Sequence, residues 1–190
     1  MTELKKIVVI GPESTGKSTL CAKLATHYKT IWCAEYAREY LLKNGKDYTY
    51  NELLIIAKGQ IELEQLSVVG CQLSEKNNNN AQFTIHNSLL FIDTDMYVMK
   101  VWCEFAFDKC HSWILNEIAK RKYDLYLLCN VDLPWVSDQL REYPDKEIRN
   151  KLYRFYKEAM VNQNTPWVDI SGNFEERLQK AITAVEALVK

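Results

Sequence analysis

The residues Gly11-Pro12-Glu13-Ser14-Thr15-Gly16-Lys17-Ser18 match the pattern G-x-x-x-x-G-K-[ST] in full and directly follow the apolar run Ile7-Val8-Val9-Ile10. Their chemistry is phosphate binding. A strand that turns sharply into a helix points consecutive backbone N–H groups and the positive helix end into one concavity, which holds the phosphates of a nucleotide. Gly11 and Gly16 supply conformations that a Cβ would block, Lys17 reaches the outer phosphates, and the Ser18 hydroxyl is placed to ligate Mg²⁺. The loop as a whole, Gly11, Glu13, Ser14, Thr15, Gly16, Lys17, Ser18 and Thr19, is the expected ATP site.

Two further groups carry carboxylates. Ser88-Leu89-Leu90-Phe91-Ile92-Asp93-Thr94-Asp95 is an apolar strand ending in an acidic pair. This is the Walker B pattern, in which Asp93 holds Mg²⁺ or its waters. Glu35 follows the short apolar segment ending at Ala34 and opens Glu35-Tyr36-Ala37-Arg38-Glu39, so it sits where a parallel strand hands over to a helix. Open α/β sheets keep their ligands at that edge. Glu35 is the expected proton acceptor for a substrate hydroxyl. Arg38, about one helical turn on, shares its face. An arginine-bearing segment, Asn130-Val131-Asp132-Leu133-Pro134-Trp135-Val136-Ser137-Asp138-Gln139-Leu140-Arg141, is expected to close as a lid, with Arg141 meeting charge on the transferred group.

These groups must be positioned by alternating strands and helices. Lys17 to Tyr28 places Leu20, Cys21, Leu24, Ala25 and Tyr28 on one helical face. Thr49-x-x-Glu52 is a capping box opening a long helix, whose Lys58, Gln60, Glu62 and Glu64 read as a solvated face. Residues 74–80, with four consecutive asparagines, read as a surface loop. Two helices follow the acidic strand, over 97–107 and 111–121, with Trp102 and Phe105 as core or pocket wall. Strands then end at Cys129 and Ile170. The helix after the lid carries Arg149 and Arg154, with Ile148, Leu152, Phe155 and Ala159 as its packed face. Asn173 with Glu176 caps a closing amphipathic helix, and Gly172 before it is expected beside the nucleotide base. His86 and His111 read as packing or surface residues. The expected fold is α/β, a P-loop nucleoside-triphosphate hydrolase fold. It has a five-stranded parallel sheet, helices on both faces and the phosphate-loop strand in the middle, built as one domain over 1–190.

Composition narrows the function. The 190 residues are 47% hydrophobic with net charge −1, which suits one domain with an ample core. A near-neutral balance gives no electrostatic footprint for nucleic acid or an anionic membrane. The six cysteines contain no C-x-x-C pair, and Cys110 beside His111 lacks the second pair that zinc would need. No apolar run approaches 18 residues and the start lacks a signal peptide's core, so the expected location is cytoplasmic. The rival to a small-molecule kinase is a nucleotide-dependent ATPase or switch acting on a protein partner. A GTP switch would carry N-K-x-D, and Asn130-Val131-Asp132 lacks the lysine and one residue.

The phosphate loop, Glu35-Tyr36-Ala37-Arg38-Glu39, Phe91-Ile92-Asp93-Thr94-Asp95 and Trp135-Val136-x-Asp138-x-Leu140-Arg141 together resemble the ribosylnicotinamide kinase domain of NadR-type NAD biosynthesis proteins, in the same order along almost the whole chain. The resemblance implies ATP-dependent phosphorylation of the 5′-hydroxyl of nicotinamide riboside, a small nucleoside, to give nicotinamide mononucleotide. It implies that Lys17, Ser18 and Asp93 serve ATP and Mg²⁺, and that Glu35 and Arg38 face the nucleoside, with Tyr36, Asp95 and Trp135 as further substrate contacts. In the family an aromatic residue often precedes the Glu-Tyr element; here that position is Ala34, and the nearest tryptophan is Trp32. The bifunctional family members carry an adenylyltransferase domain ahead of the kinase, whereas this chain starts at the kinase's first strand, so any adenylation is expected to be done elsewhere.

Overall fold

Strand residues that alternate between two buried faces give this chain its layers. The structure, a computed structural model, describes residues 3–77 and 89–190. Chain order runs β1 (Lys5–Ile10), α1 (Lys17–Tyr28), β2 (Trp32–Cys33), α2 (Tyr36–Asn44), α3 (Tyr50–Asn77), β3 (Leu89–Asp93), α4 (Met96–Phe107), α5 (Ser112–Lys120), β4 (Leu125–Cys129), α6 (Lys146–Val161), β5 (Trp167–Ile170) and α7 (Phe174–Val189). The strands form one parallel sheet in the order β2-β3-β1-β4-β5, so the phosphate-loop strand is central, as expected. Ile7, Val9, Phe91, Leu125 and Leu127 face α1 and α7, while Val8, Ile10, Leu90, Ile92 and Leu128 face the opposite layer. Both faces being covered is why these strands read as unbroken apolar runs.

A third cluster lies beside the sheet rather than on it. Ala37 and Leu41 of α2, Leu53, Ile56 and Ala57 of α3, Met99 and Cys103 of α4, and Ile114 of α5 pack together. This satellite core holds α2 and α4 against α3, and with them one wall of the site. Gly59 is required there, because a Cβ would lie 2.1 Å from the Tyr36 ring.

Local signals formed as their chemistry dictates. Thr49 and Glu52 bond each other's backbone N–H groups, at 2.8 and 3.4 Å, opening α3. Asn173 and Glu176 make the same box at α7. Three readings change. First, α3 continues through Asn77, so residues 74–77 are helical; the rest of the asparagine run, and His86 and Ser88, lie outside the described residues. Second, Gln60 and Glu64 are buried at 1% and 2% exposure rather than solvated. Glu64 is matched by Lys6 at 3.3 Å, Arg121 at 3.2 Å and the Tyr123 hydroxyl at 2.8 Å, which is what permits its burial. Third, the packed face of α6 is Arg149, Leu152, Tyr156 and Met160, while Ile148 and Phe155 are exposed. His111 packs, stacking on Tyr50 with ring centroids 3.7 Å apart.

Candidate active site

β1 ends at Ile10 and the chain reverses through Gly11 (φ 139°) and Gly16 (φ 78°) into α1. A Cβ on Gly11 would lie 2.7 Å from the Cys129 carbonyl, so the loop passes β4 only because that residue is glycine. Thr15, buried, donates its hydroxyl to the Pro12 carbonyl at 2.7 Å, and Lys17 Nζ donates to the same oxygen at 3.0 Å. Arg177 of α7 braces the loop from behind. Its guanidinium, 3% exposed, donates to the carbonyls of Thr15 (2.9 Å), Asn130 (2.9 Å) and Gly172 (2.7 Å) and to the Asp132 carboxylate. One arginine thus ties the phosphate loop to the ends of β4 and β5.

β3 pairs with β1 in a register that sets Asp93 opposite Val9, at the mouth of the loop. Asp93 Oδ2 accepts the Ser18 hydroxyl at 2.5 Å, while Oδ1 is buried with no hydrogen-bond partner. Burial, and then the nearby Glu35 carboxylate, push the Asp93 acid upward. A buried, unpartnered carboxylate oxygen beside a hydroxyl oxygen is a hard-oxygen donor set that fits Mg²⁺, which takes one or two protein oxygens and completes its shell with phosphates and water. Ser18 and Asp93 are the residues that would hold it.

Glu35 is the N-cap of α2, but its side chain makes no capping bond. Its Oε1 instead accepts the hydroxyl of Thr94 at 3.3 Å. Thr94 has φ 77°, a left-handed conformation that a β-branched residue rarely takes, and it is 1% exposed. That turn follows Asp93 directly and ties the end of β3 to Glu35 through the Thr94 hydroxyl.

A cavity of about 390 Å³ joins these parts. Residues 11–19 form its floor, and Glu35, Ala37, Arg38 and Leu41 one side. Val98, Trp102, Phe105, Leu152 and Tyr156 form the far wall, and Asp138, Leu140, Arg141, Glu142 and Tyr143 the roof. The roof belongs to an irregular segment, residues 130–145, held from two directions. Glu13 accepts the backbone N–H groups of Glu142 (3.0 Å) and Tyr143, and Ser14 Oγ accepts that of Val136 at 3.0 Å. From α2, Arg38 binds Asp138 through two bonds, of 2.7 and 3.4 Å. Desolvation raises the Glu13 acid against the pull of its backbone donors.

Of the sequence-predicted residues, the structure brings Glu13, Ser14, Thr15, Lys17, Ser18, Thr19, Glu35, Arg38 and Arg141 to this cavity, with Gly11 and Gly16 in its floor. Others stand elsewhere. Asp95, expected at substrate, caps α4 by accepting the N–H groups of Tyr97 and Val98, and takes the Tyr126 hydroxyl at 2.8 Å; it is buried and off the cavity wall. Tyr36 turns its ring onto Gly59 instead. Trp135, outside the cavity lining, has two guanidiniums over its ring, Arg141 at 5.9 Å and Arg149 at 5.3 Å from its centre. Gly172 (φ 104°) donates its N–H to Asp132 at 2.5 Å, behind the loop and outside the cavity lining. Glu13 is spent on lid backbone rather than left free for phosphate. Arg149, predicted only as part of a helix face, is 4% exposed, and its Nε and Nη1 have no partner. A buried guanidinium with idle donors is unusual. Nothing in sequence marked it, because helical periodicity assigned that face to Ile148 and Phe155.

A glycine-cornered loop on a central parallel strand, a lysine and serine at its helix end and a carboxylate on the adjacent strand define a P-loop α/β nucleotide-binding protein. The chain belongs to the AAA domain family, whose model matches residues 6–177. It is 25% identical over 191 residues to the trifunctional NAD biosynthesis/regulator proteins NadR of Escherichia coli K12 and Salmonella typhimurium LT2, covering 98% of this chain and 43% of each relative. The chain therefore spans less than half the length of those relatives. Among solved structures it is similar to a NadR protein in complex with NR (TM-score 0.76, 23% identity, 98% of this chain and 50% of that one). It is also similar to a thymidylate kinase from Ehrlichia chaffeensis (TM-score 0.63, 14% identity, 97% and 100%). The likeness to NadR-type proteins expected from the motifs thus extends over the whole fold. Among the described residues, no helix is long and apolar enough to cross a membrane.

Proposed function

We propose that this chain is an ATP-dependent small-molecule kinase that phosphorylates the 5′-hydroxyl of nicotinamide riboside to give nicotinamide mononucleotide. The observation that carries the reading is the cavity's second half. Beyond the phosphate loop it continues between α2, α4, α6 and the lid, walled by Trp102, Phe105, Tyr143 and Tyr156, with Glu35 also in its lining. An ATPase, in which water attacks the γ-phosphorus, has no need of an aromatic chamber beside the triphosphate. A flat ring on a ribose does, since aromatic faces hold such a ring with little ordering cost. The similarity to NadR proteins, one of them solved with NR, supports the choice of acceptor.

In this reading the N–H groups of residues 13–19 and the Lys17 ammonium hold the β- and γ-phosphates, with Lys17 leaving the Pro12 carbonyl to do so. Mg²⁺, held by Ser18 and Asp93, would supply Lewis-acid neutralisation of the phosphate oxygens. Glu35 orients the acceptor hydroxyl and takes its proton as the new O–P bond forms and the bond from the γ-phosphorus to the β-phosphate's bridging oxygen breaks. Arg141 meets the charge on the transferred group when the lid is closed. The aromatic wall and the strapped lid exclude water, which suppresses hydrolysis. Incubating the purified chain with Mg-ATP and a panel of nucleosides, read by mass spectrometry, tests the proposal. A monophosphate of nicotinamide riboside is expected. ADP formation with no nucleoside monophosphate would contradict it.

A further inference from the structure

Gln60 sits inside α3, lines no part of the cavity, and is 1% exposed. Its amide nevertheless touches both strands that carry the carboxylates. Nε2 donates to the carbonyls of Ala34 (3.2 Å) and Asp93 (3.4 Å), and Oε1 accepts the Tyr36 N–H at 2.7 Å. The opposite amide orientation would set an NH₂ against the Tyr36 N–H and an oxygen against two carbonyls, so the network fixes which way the group points.

The sheet explains why a side chain is needed there. β2 pairs with β3 only through Trp32↔Phe91 and Cys33↔Ile92, and its ladder stops one residue short of the Ala34–Asp93 level. Gln60 occupies that next level and bridges the two strands as a missing rung would. Glu35 lies between Ala34 and Tyr36, two of the three residues whose backbone Gln60 grips; it makes no capping bond, and its carboxylate is held by the Thr94 hydroxyl at 3.3 Å.

We propose that Gln60 is a positioning residue for phosphoryl transfer, setting the Glu35 carboxylate relative to Asp93 and so the acceptor relative to the triphosphate. This rests on the kinase reading above. No other side chain of similar size does the same work. Leucine or methionine fills the space but abandons three backbone groups, and glutamate keeps the Tyr36 bond while facing two carbonyls with a second acceptor.

The test uses Gln60→Met and Gln60→Glu in the full chain, with three readouts: kcat on the nucleoside, Mg-ATP affinity by calorimetry, and amide exchange at Tyr36. A misplacement of about 1 Å at a reacting pair can cost ~10²-fold. Gln60→Met is expected to lower kcat about 10- to 100-fold with Mg-ATP affinity within about threefold of wild type, and to speed Tyr36 exchange about tenfold while β1 and β3 amides keep their protection. Gln60→Glu sets a second acceptor against the Ala34 and Asp93 carbonyls, so its kcat should fall at least as far, and it carries the test if Gln60→Met does not fold. Wild-type kcat in either variant, or equal losses of kcat and Mg-ATP binding, would overturn the proposal. If wild-type protein phosphorylates no nucleoside, the kinase reading fails, and Gln60 is then judged by exchange alone: faster Tyr36 exchange upholds the rung, and unchanged exchange removes it.

Discussion

In the proposed kinase reaction, the donor half of the site and the acceptor half are built in different ways. The phosphate loop is fixed by buried contacts: Gly11 against the Cys129 carbonyl, and the Arg177 guanidinium on the Thr15 carbonyl. The acceptor half is held by side chains, many of them partly exposed. Arg38 of its lid strap is half exposed, and Asp138 comes from 100 residues away. Such exposed pairs are worth only about 0–1 kcal/mol, so the roof is free to open at little cost while the floor is not. A kinase needs that asymmetry, since it must admit an acceptor and release a product without losing its grip on phosphate.

Breaking the floor should therefore cost most. Lys17→Ala is expected to abolish measurable turnover, a loss of about 10³-fold or more, while thermal stability stays near that of wild type. Steady-state assay beside thermal unfolding checks this, and retained turnover would remove the phosphate loop from the chemistry. The lid arginine comes next. Arg141→Ala should lower kcat by about 10- to 100-fold and weaken Mg-ATP binding less, because it meets charge only when the roof is closed. Single-turnover rates compared with nucleotide titration separate the two. An equal loss in both would make Arg141 a floor residue.

The strap itself should matter least to catalysis. Arg38→Ala is expected to raise the acceptor KM a few-fold and to change stability by under about 1 kcal/mol, measured by KM determination and chemical denaturation. A loss of 10²-fold in kcat would mean that Arg38 touches the reacting groups directly. The buried cap of α4 offers a gentler probe. Burial pushes the Asp95 acid up to about 7 from 3.8, so the folded chain binds a proton that the unfolded chain has lost across that window. Its contribution is full below about pH 4 and falls as pH rises through about 7. Asp95→Asn should flatten that part of the stability–pH curve, as read by denaturation from pH 4 to 8; an unchanged slope would assign it to other groups.

The same contrast governs what the sequence disclosed. The loop, Asp93 and the central place of β1 were legible because each is a local pattern with one structural solution. Gln60 and Arg177 were not. A polar residue on a helix looks the same whether it meets water or buried backbone carbonyls, and only the sheet's missing rung and the loop's bare carbonyls distinguish them. The α6 face was misread for a related reason: Tyr156 and Arg149 pack inward, Arg149 with its guanidinium 5.3 Å from the Trp135 ring centre, leaving Ile148 and Phe155 outside. Asp95 and Tyr36 carried the right motif but belong to its support, one capping α4 and the other seating α2 on Gly59.

Dividing the work between the two carboxylates is the centre of this account, and a single paired measurement tests it. Mg-ATP binding by calorimetry and turnover of nicotinamide riboside are measured side by side for Glu35→Gln and Asp93→Asn. General-base assistance is typically worth about 10²- to 10⁴-fold, so Glu35→Gln should lose that much kcat and bind Mg-ATP nearly as wild type does, while Asp93→Asn should lose metal-dependent nucleotide binding as well. Loss of Mg-ATP binding in Glu35→Gln, or full turnover in that variant, would contradict the division.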